Sequence, residues 1–260
     1  MQSDSFYADH WKEIEDDRVA RYEQMFVWRE GHKTLLEPAG IEEGQAVLDV
    51  GSGPGFFALA LADMVGEAGR VDGVDINTRF VGDANKRARE RDNVAFHLVT
   101  DHRLPFSDGS YDRVICKNVL EYVPDLDATL NEVHRVLKSG GRMHVIDSDW
   151  GFVVVEPWGK TTVDKFFAAA AAAFKEPYIG RKVPGLMALA GFSNIEVRLS
   201  TFVDRAGTGL DVLANMASYI KTLATLPDQE VAGLLNQARD GIATGSYLFC
   251  LPQFLVTGVR

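Results

Sequence analysis

Val47-Leu48-Asp49-Val50-Gly51-Ser52-Gly53-Pro54-Gly55 is the stretch whose reading decides the fold. An apolar run enters a glycine-rich turn, and Phe56, Leu59, Ala60 and Val65 follow at helical spacing. The pattern is strand, turn, helix. Glycines let the backbone turn sharply and approach a ligand closely, because no Cβ intervenes, and parallel α/β sheets bind ligands at the carboxyl ends of their strands. The dinucleotide fingerprint Gly-x-Gly-x-x-Gly needs a glycine where Phe56 stands, and no Gly-Lys-Ser or Gly-Lys-Thr follows to make a phosphate loop. The turn points to a nucleoside-type ligand and disfavours a pyrophosphate.

Outward from this turn, short apolar runs alternate with longer helical patterns. Strands are expected at Ala46–Val50, Arg70–Asp75, Val94–Val99, Tyr111–Cys116 and Gly141–Asp147, with helices at Gly55–Val65, Thr78–Arg91 and Leu126–Leu137. That alternation is the signature of βαβ units around a mostly parallel sheet. Ser139-Gly140-Gly141 is expected to end the third helix. Beyond Asp147 the rhythm predicts an alanine-rich helix near Val163–Lys175, a short helix at Val183–Ala190 and a strand at Asn194–Phe202. Helices near Leu210–Ala224 and Asp228–Ile242 then precede a final strand, Tyr247–Val259. The first forty residues read as two amphipathic helices, with Trp11, Ile14, Val19, Tyr22, Met25 and Phe26 at helical spacing. They form either a helical layer on the sheet edge or a lid.

Asp75 closes the second strand candidate, where a βαβ unit presents an acid to the two ribose hydroxyls of a nucleoside. The opening turn, Asp75, Thr100-Asp101-His102-Arg103-Leu104-Pro105-Phe106, Tyr111-Asp112-Arg113-Val114-Ile115 and Leu137-Lys138-Ser139-Gly140-Gly141-Arg142 together resemble class I, seven-stranded S-adenosylmethionine-dependent methyltransferases. The similarity is closest to the small-molecule branch that includes the ubiquinone and menaquinone biosynthetic enzymes. It covers roughly residues 40 to 150, and Ala190-Gly191-Phe192 before a strand resembles the same family's carboxyl end.

The resemblance implies an α/β, Rossmann-like three-layer sandwich with a mostly parallel seven-stranded sheet and an antiparallel last strand. Residues 1–40 would be an N-terminal helical lid, and residues 41–260 the methyltransferase domain, with a helical insertion about 205–245. It implies that Gly51, Gly53 and Gly55, with Ser52 among them, face the cofactor's methionine portion. Asp75 would hold the ribose and Ile76 the adenine, with Asp101 near the adenine amino group and His102 beside it. Lys117, Asn118 and Val119 would line the methionine end. Two departures from the family pattern stand out: the Asp101 segment is one residue short, and Glu121-Tyr122 replaces a histidine pair common after strand 4.

Composition bounds the partners. A chain of 260 residues with 46% hydrophobic content buries one sizeable core, and a net charge of −10 repels nucleic-acid backbones, which leaves a small molecule as the substrate class. The two cysteines, Cys116 and Cys250, sit in apolar surroundings and read as thiols of a reducing compartment. The segment to Asp17 has no secretory-signal pattern and no window reaches 18 apolar residues, so the expectation is a cytoplasmic protein without a membrane span, monomeric or homodimeric.

A sulfonium methyl is already electrophilic, so the protein must align a nucleophile with the S–CH3 bond and exclude water. The acceptor is then oxygen, nitrogen or carbon of a small metabolite, with aromatic and heteroaromatic rings among the candidates. Asp149 with Trp150, following strand 5, are the candidate catalytic pair, with a loop cap and a packed indole as the alternative. Tyr7, His10, Tyr22 and Trp28 in the lid, and Arg181 before the late helix, are candidate substrate contacts. The six histidines lack metal-ligand spacing, so no metal is expected. Two other readings compete: an NAD(P)-dependent oxidoreductase, which Phe56 argues against, and a non-catalytic nucleoside-binding protein.

Overall fold

The computed structural model describes residues 6–12, 14, 18, 19, 22, 23 and 26–260 of the chain; Met25 lies outside the described residues. The large sheet has seven strands: β1 (Ala46–Val50), β2 (Arg70–Asp75), β3 (Val94–Leu98), β4 (Tyr111–Lys117), β5 (Leu137–Ser148), β7 (Ser193–Ser200) and β10 (Gln253–Val259). Their spatial order is β3-β2-β1-β4-β5-β10-β7. Every neighbouring pair from β3 to β5 is parallel, and β10 runs antiparallel between β5 and β7.

β1 is buried along its whole length because it lies mid-sheet with helices on both faces. Leu48 and Val50 join the core on one face with Val114, Cys116 and Leu130, while Val47 joins the other with Leu61, Ala84 and Ile115. A strand buried on both sides is mostly apolar, which is why Val47 to Val50, apolar but for Asp49, was legible as a strand. The helices that follow β1 and β2 span Phe56–Val65 and Thr78–Ala88, and a third, Leu126–Val136, leads into β5. The Asn77 and Asp125 side chains cap the second and third by accepting the N–H of Phe80 (3.0 Å) and of Ala128 (2.9 Å).

Three expectations change. The Leu126–Val136 helix does not end on glycine: Leu137 is already extended and starts β5. Ser139-Gly140-Gly141 instead belong to a wide irregularity, for Tyr111 pairs with Leu137 but Arg113 with Arg142. Gly140, at φ 77°, donates to the Arg260 carbonyl there. The expected final strand divides into β9 (Leu248–Cys250) and β10, in different sheets, because Pro252 offers no N–H to continue a ladder. Finally, β9 is the centre of a second sheet, flanked by β6 (Val154–Glu156) and β8 (Val203–Asp204), that the periodicity did not reveal.

This small sheet packs with helices Gly159–Ala170, Leu210–Leu223 and Asp228–Thr244 around a second core of Val155, Trp158, Phe166, Leu213, Ile220 and Tyr247. The N-terminal helix Phe6–Lys12 lies against it, with Phe6 edge-on to Tyr219. Between the two cores, at the carboxyl ends of β1, β2 and β4, opens a cavity.

Candidate functional site

The cavity has a volume of about 450 Å³ and begins at the glycine turn. Gly51, Gly53 and Gly55 have φ of 73°, 52° and 89°, a left-handed conformation that other residues adopt only at a cost. Space divides their roles. A Cβ at Gly51 would overlap the Val119 methyls, and one at Gly55 would stand 2.8 Å from Ala84 and Phe96. At Gly53 the nearest atom would be 3.8 Å away, on Phe26. Gly51, Ser52 and Gly53 line the cavity; Gly55 faces the helix and strand behind it, which departs from the expected contact.

Asp75 lies opposite the turn. Its two carboxylate oxygens accept the N–H groups of Gly53 and Asn77, both at 2.8 Å. Burial pushes its pKa above the ordinary carboxyl value, while these hydrogen bonds pull it back. Ile76, 38% exposed, stands on the cavity wall beside it. Asp101 and His102 lie on the rim, where the Asp101 carboxylate accepts the Arg103 N–H at 2.7 Å.

Buried charge concentrates at the inner wall and directly behind it. Asp49 is raised to about 7 by burial and by the Asp75 charge. Lys117 also lines the cavity, its pKa lowered by burial against the upward pull of Asp147, Asp49 and Glu121. Asp147, likewise near 7 through burial, accepts the N–H groups of Ser148 (2.9 Å) and Leu120 (3.1 Å). His32 is held neutral, with a pKa of about 4, by burial and by the charges of Lys117 and Arg29. Its Nδ1 accepts the Arg29 N–H, so the ring hydrogen resides on Nε2.

Asp49 Oδ2, Ser52 Oγ, Asn118 Oδ1 and Trp11 Nε1 are buried without a hydrogen-bond partner among the described residues, and all four side chains belong to the cavity lining. Buried polar atoms are rarely left unpaired in proteins, since each costs roughly 1–3 kcal/mol. Their convergence is the mark of a polar ligand.

The expected acceptor-side residues lie elsewhere. Asp149 is fully buried and bound through both oxygens by Arg181 (2.5 and 2.7 Å), so neither reaches the cavity. Trp150 donates its indole N–H to Glu121 at 2.8 Å and stacks on Phe167. Tyr22 is buried with its hydroxyl against Tyr219 and Asn215, Trp28 packs on Phe57, and Tyr7 lies under the Lys175 ammonium. His10 is stacked on Phe6. None of these residues lines the cavity.

The wall is built instead from Trp11, Phe26, Phe57 and Tyr122, with Asp49 and His32 also in the lining, none of which sequence reasoning singled out as site residues. Their signals were ambiguous. Trp11 and Phe26 read as the apolar face of a helix, and Asp49 as a residue inside an apolar strand. Among the described residues no three metal-ligating side chains group together.

A family model described as a methyltransferase domain matches residues 41–184, more than half of the chain. The chain belongs to this family. A demethylmenaquinone methyltransferase of Staphylococcus aureus is 32% identical over 132 residues, covering 51% of this chain and 54% of that protein. An uncharacterised 37.1 kDa transposon protein of Streptomyces fradiae is 29% identical over 202 residues, 74% of this chain and 58% of that one. The chain thus spans little more than half the length of these curated relatives.

Among solved structures, the YcgJ protein of Bacillus subtilis superposes with a TM-score of 0.61 at 23% identity over 88% of this chain and 98% of its own. Phosphoethanolamine N-methyltransferase 2 of Haemonchus contortus, in complex with phosphomonomethylethanolamine and S-adenosylhomocysteine, superposes at 0.67 and 18% identity over all of this chain and 60% of its own. These likenesses are of fold. Family membership decides against the nicotinamide reading, in line with Phe56 in place of a third fingerprint glycine.

Proposed function

We propose that this chain transfers a methyl group from S-adenosylmethionine to oxygen, nitrogen or carbon of a small metabolite and releases S-adenosylhomocysteine. The carrying observation is the set of orphaned polar atoms on Asp49, Ser52 and Asn118, together with Asp75, around one cavity at the strand ends. These groups suit the cofactor's parts. Asp75 keeps free lone pairs for ribose hydroxyls, Ile76 offers an apolar face to adenine, and Asp101 and His102 stand at the adenine rim. Ser52, Lys117, Asn118 and Val119 lie toward the methionine end.

When bound, the cofactor supplies a methyl group already activated by its sulfonium. The protein's part is alignment and exclusion of water. Trp11, Phe26, Phe57 and Tyr122 present aromatic surface to the acceptor space, which fits a planar ring held by stacking. His32 offers an Nε2–H to an acceptor oxygen or nitrogen. Asp149, Trp150, Tyr7, Tyr22, Trp28 and Arg181 act, in this reading, as support behind the wall. The printed name of the staphylococcal relative supports a small-molecule acceptor. The net charge of −10 disfavours nucleic acid as a partner. We place the protein in the cytoplasm as a monomer or homodimer; its two free thiols, Cys116 and Cys250, suit a reducing compartment, and no helix among the described residues is long and apolar enough to cross a membrane.

Calorimetry tests the cofactor: S-adenosylhomocysteine binds and NAD does not. Methyl-labelled cofactor incubated with a panel of ring hydroxyls, ring amines and alkyl amines then tests transfer. Label entering the ring compounds, and falling at least tenfold in Trp11→Ala, supports the reading; cofactor binding with no transfer to any class favours a non-catalytic nucleoside-binding protein.

A further inference from the structure

We infer that β7 is the interface of a two-fold homodimer in which the edge strands of two copies of this chain pair antiparallel, an inference independent of the methyl-transfer reading. β7 ends the spatial order of the large sheet, with β10 on one side and no strand on the other among the described residues. Its residues, Ser193–Ser200, are exposed but for the half-buried Ile195 and Ser200. A long edge strand presents unpaired N–H and C=O groups, a template for another strand, and proteins commonly cover, shorten or kink such edges.

One face of this edge is apolar. Val197 and Leu199 pair with Val256 and Phe254 of β10, both buried in the main core that Ile195 also joins. That face of β7 therefore continues the core outward, past the cover of helix Ile179–Leu189. Val197 is 47% exposed and Leu199 51%, and Phe202 and Val203 follow at 71% and 52%. Large apolar side chains gathered along one edge mark an interaction surface.

The order of residues along β7 names the occupant. Asn194-Ile195-Glu196-Val197-Arg198-Leu199-Ser200 is symmetric in polarity about Val197 and opposite in charge across it. A two-fold axis beside Val197 sets it opposite the partner's Val197, Ile195 opposite the partner's Leu199, and Glu196 opposite the partner's Arg198. Directly opposed residues share a face of an antiparallel pair, and the two-fold repeats every contact. The apolar row then closes on its own copy on the core side, and two acid–base pairs form on the other side. Within one chain Arg198 and Glu196 stand 3.4 Å apart, both more than half exposed. An axis at Glu196 or at Arg198 would oppose like charges instead. Exposed charge pairs add little affinity, so the apolar row supplies most of it and the charges select the register. Asn194, at φ 48°, interrupts the extended run and bounds the pairing on that side. This self-complementarity singles out a second copy of the chain.

Sedimentation velocity of the full chain tests the interface. Wild type is expected to sediment as a dimer at micromolar concentration. Glu196→Arg and Arg198→Glu are each expected to self-associate at least tenfold more weakly, since each opposes like charges twice. Mixed in equal amounts, the two variants are expected to recover the dimer, because every opposed pair is again of opposite sign. The double variant, Glu196→Arg with Arg198→Glu, is expected to dimerise alone as wild type does. A monomeric wild type overturns the inference and leaves the edge to a different partner or to solvent. Single variants that dimerise as tightly as wild type overturn it too, as do folded variants that stay monomeric when mixed. Should the single variants fold poorly, the double variant decides, by dimerising or by failing to.

Discussion

The backbone N–H of Gly53 donates to the Asp75 carboxylate at 2.8 Å, so the turn at the end of β1 holds the acid at the end of β2. Asp75→Ala strands the Gly53 and Asn77 amides and, at the same time, removes the proposed ribose acceptors. It is expected to weaken S-adenosylhomocysteine at least tenfold, about 1.4 kcal/mol. Stability should fall by about 1–3 kcal/mol for the buried unpaired groups. Calorimetry and thermal melts separate the two effects, and an unchanged affinity would falsify the ribose role.

Asp49 predicts a pH dependence of opposite sign for folding and for binding. Its pKa rises from 3.8 to about 7 in the folded protein, so the folded state holds a proton that the unfolded chain releases. This group's contribution to stability therefore falls as pH climbs from about 4 to about 7. Asp49→Asn should raise the melting temperature of ligand-free protein at pH 8 relative to wild type, and not at pH 4. Asp49 Oδ2 is unpartnered on the cavity lining, and an ammonium of the proposed cofactor bound there would need the ionised carboxylate. S-adenosylhomocysteine affinity should therefore grow with pH up to about 7 and then level, a slope that Asp49→Asn flattens.

The glycines separate packing from site. Gly55→Ala places a methyl 2.8 Å from Ala84 and Phe96 at φ 89°, and is expected to lower stability by about 1–3 kcal/mol through overpacking, the strained φ adding to this. Gly53→Ala has room, so only its left-handed φ of 52° costs it stability, and its methyl enters the cavity. Its loss should appear mainly in ligand affinity. Equal melting-temperature losses for the two variants would contradict this division.

Arg181 closes on a fully buried Asp149 that also accepts the Gly151 N–H at 3.0 Å. Arg181→Met leaves that charge without its partner, and stability is expected to fall by about 1–3 kcal/mol, less than for a wholly buried pair because the Arg181 side chain is half exposed. S-adenosylhomocysteine affinity should stay within twofold. A large loss of affinity with an unchanged melting temperature would return Arg181 to the site.

What the sequence by itself determined is local and periodic. β1 and β2 begin and end where predicted: β1, buried along its whole length, is apolar but for Asp49, and β2 carries buried Val71 and Val74 between the polar ends Arg70 and Asp75. The turn was legible because glycine adopts its three left-handed positions without the cost other residues incur. Asp75 was legible from its place at a strand end.

Tertiary structure decided which polar groups meet. Asp149 looked available for chemistry until the fold brought Arg181 from 32 residues away onto it. Trp11, Phe26, Phe57 and Tyr122 come from four separate segments, and their apolar character gives the same sequence pattern whether they fill a core or wall a cavity. Asp49 read as an ordinary strand residue and Lys117 only as a contact implied by family resemblance; parallel pairing of β1 with β4 brings both strand ends to the glycine turn. Periodicity records which way a side chain points within its own element. Long-range pairing alone records what it faces, and the charge and hydrogen-bonding of a site reside in that second relation.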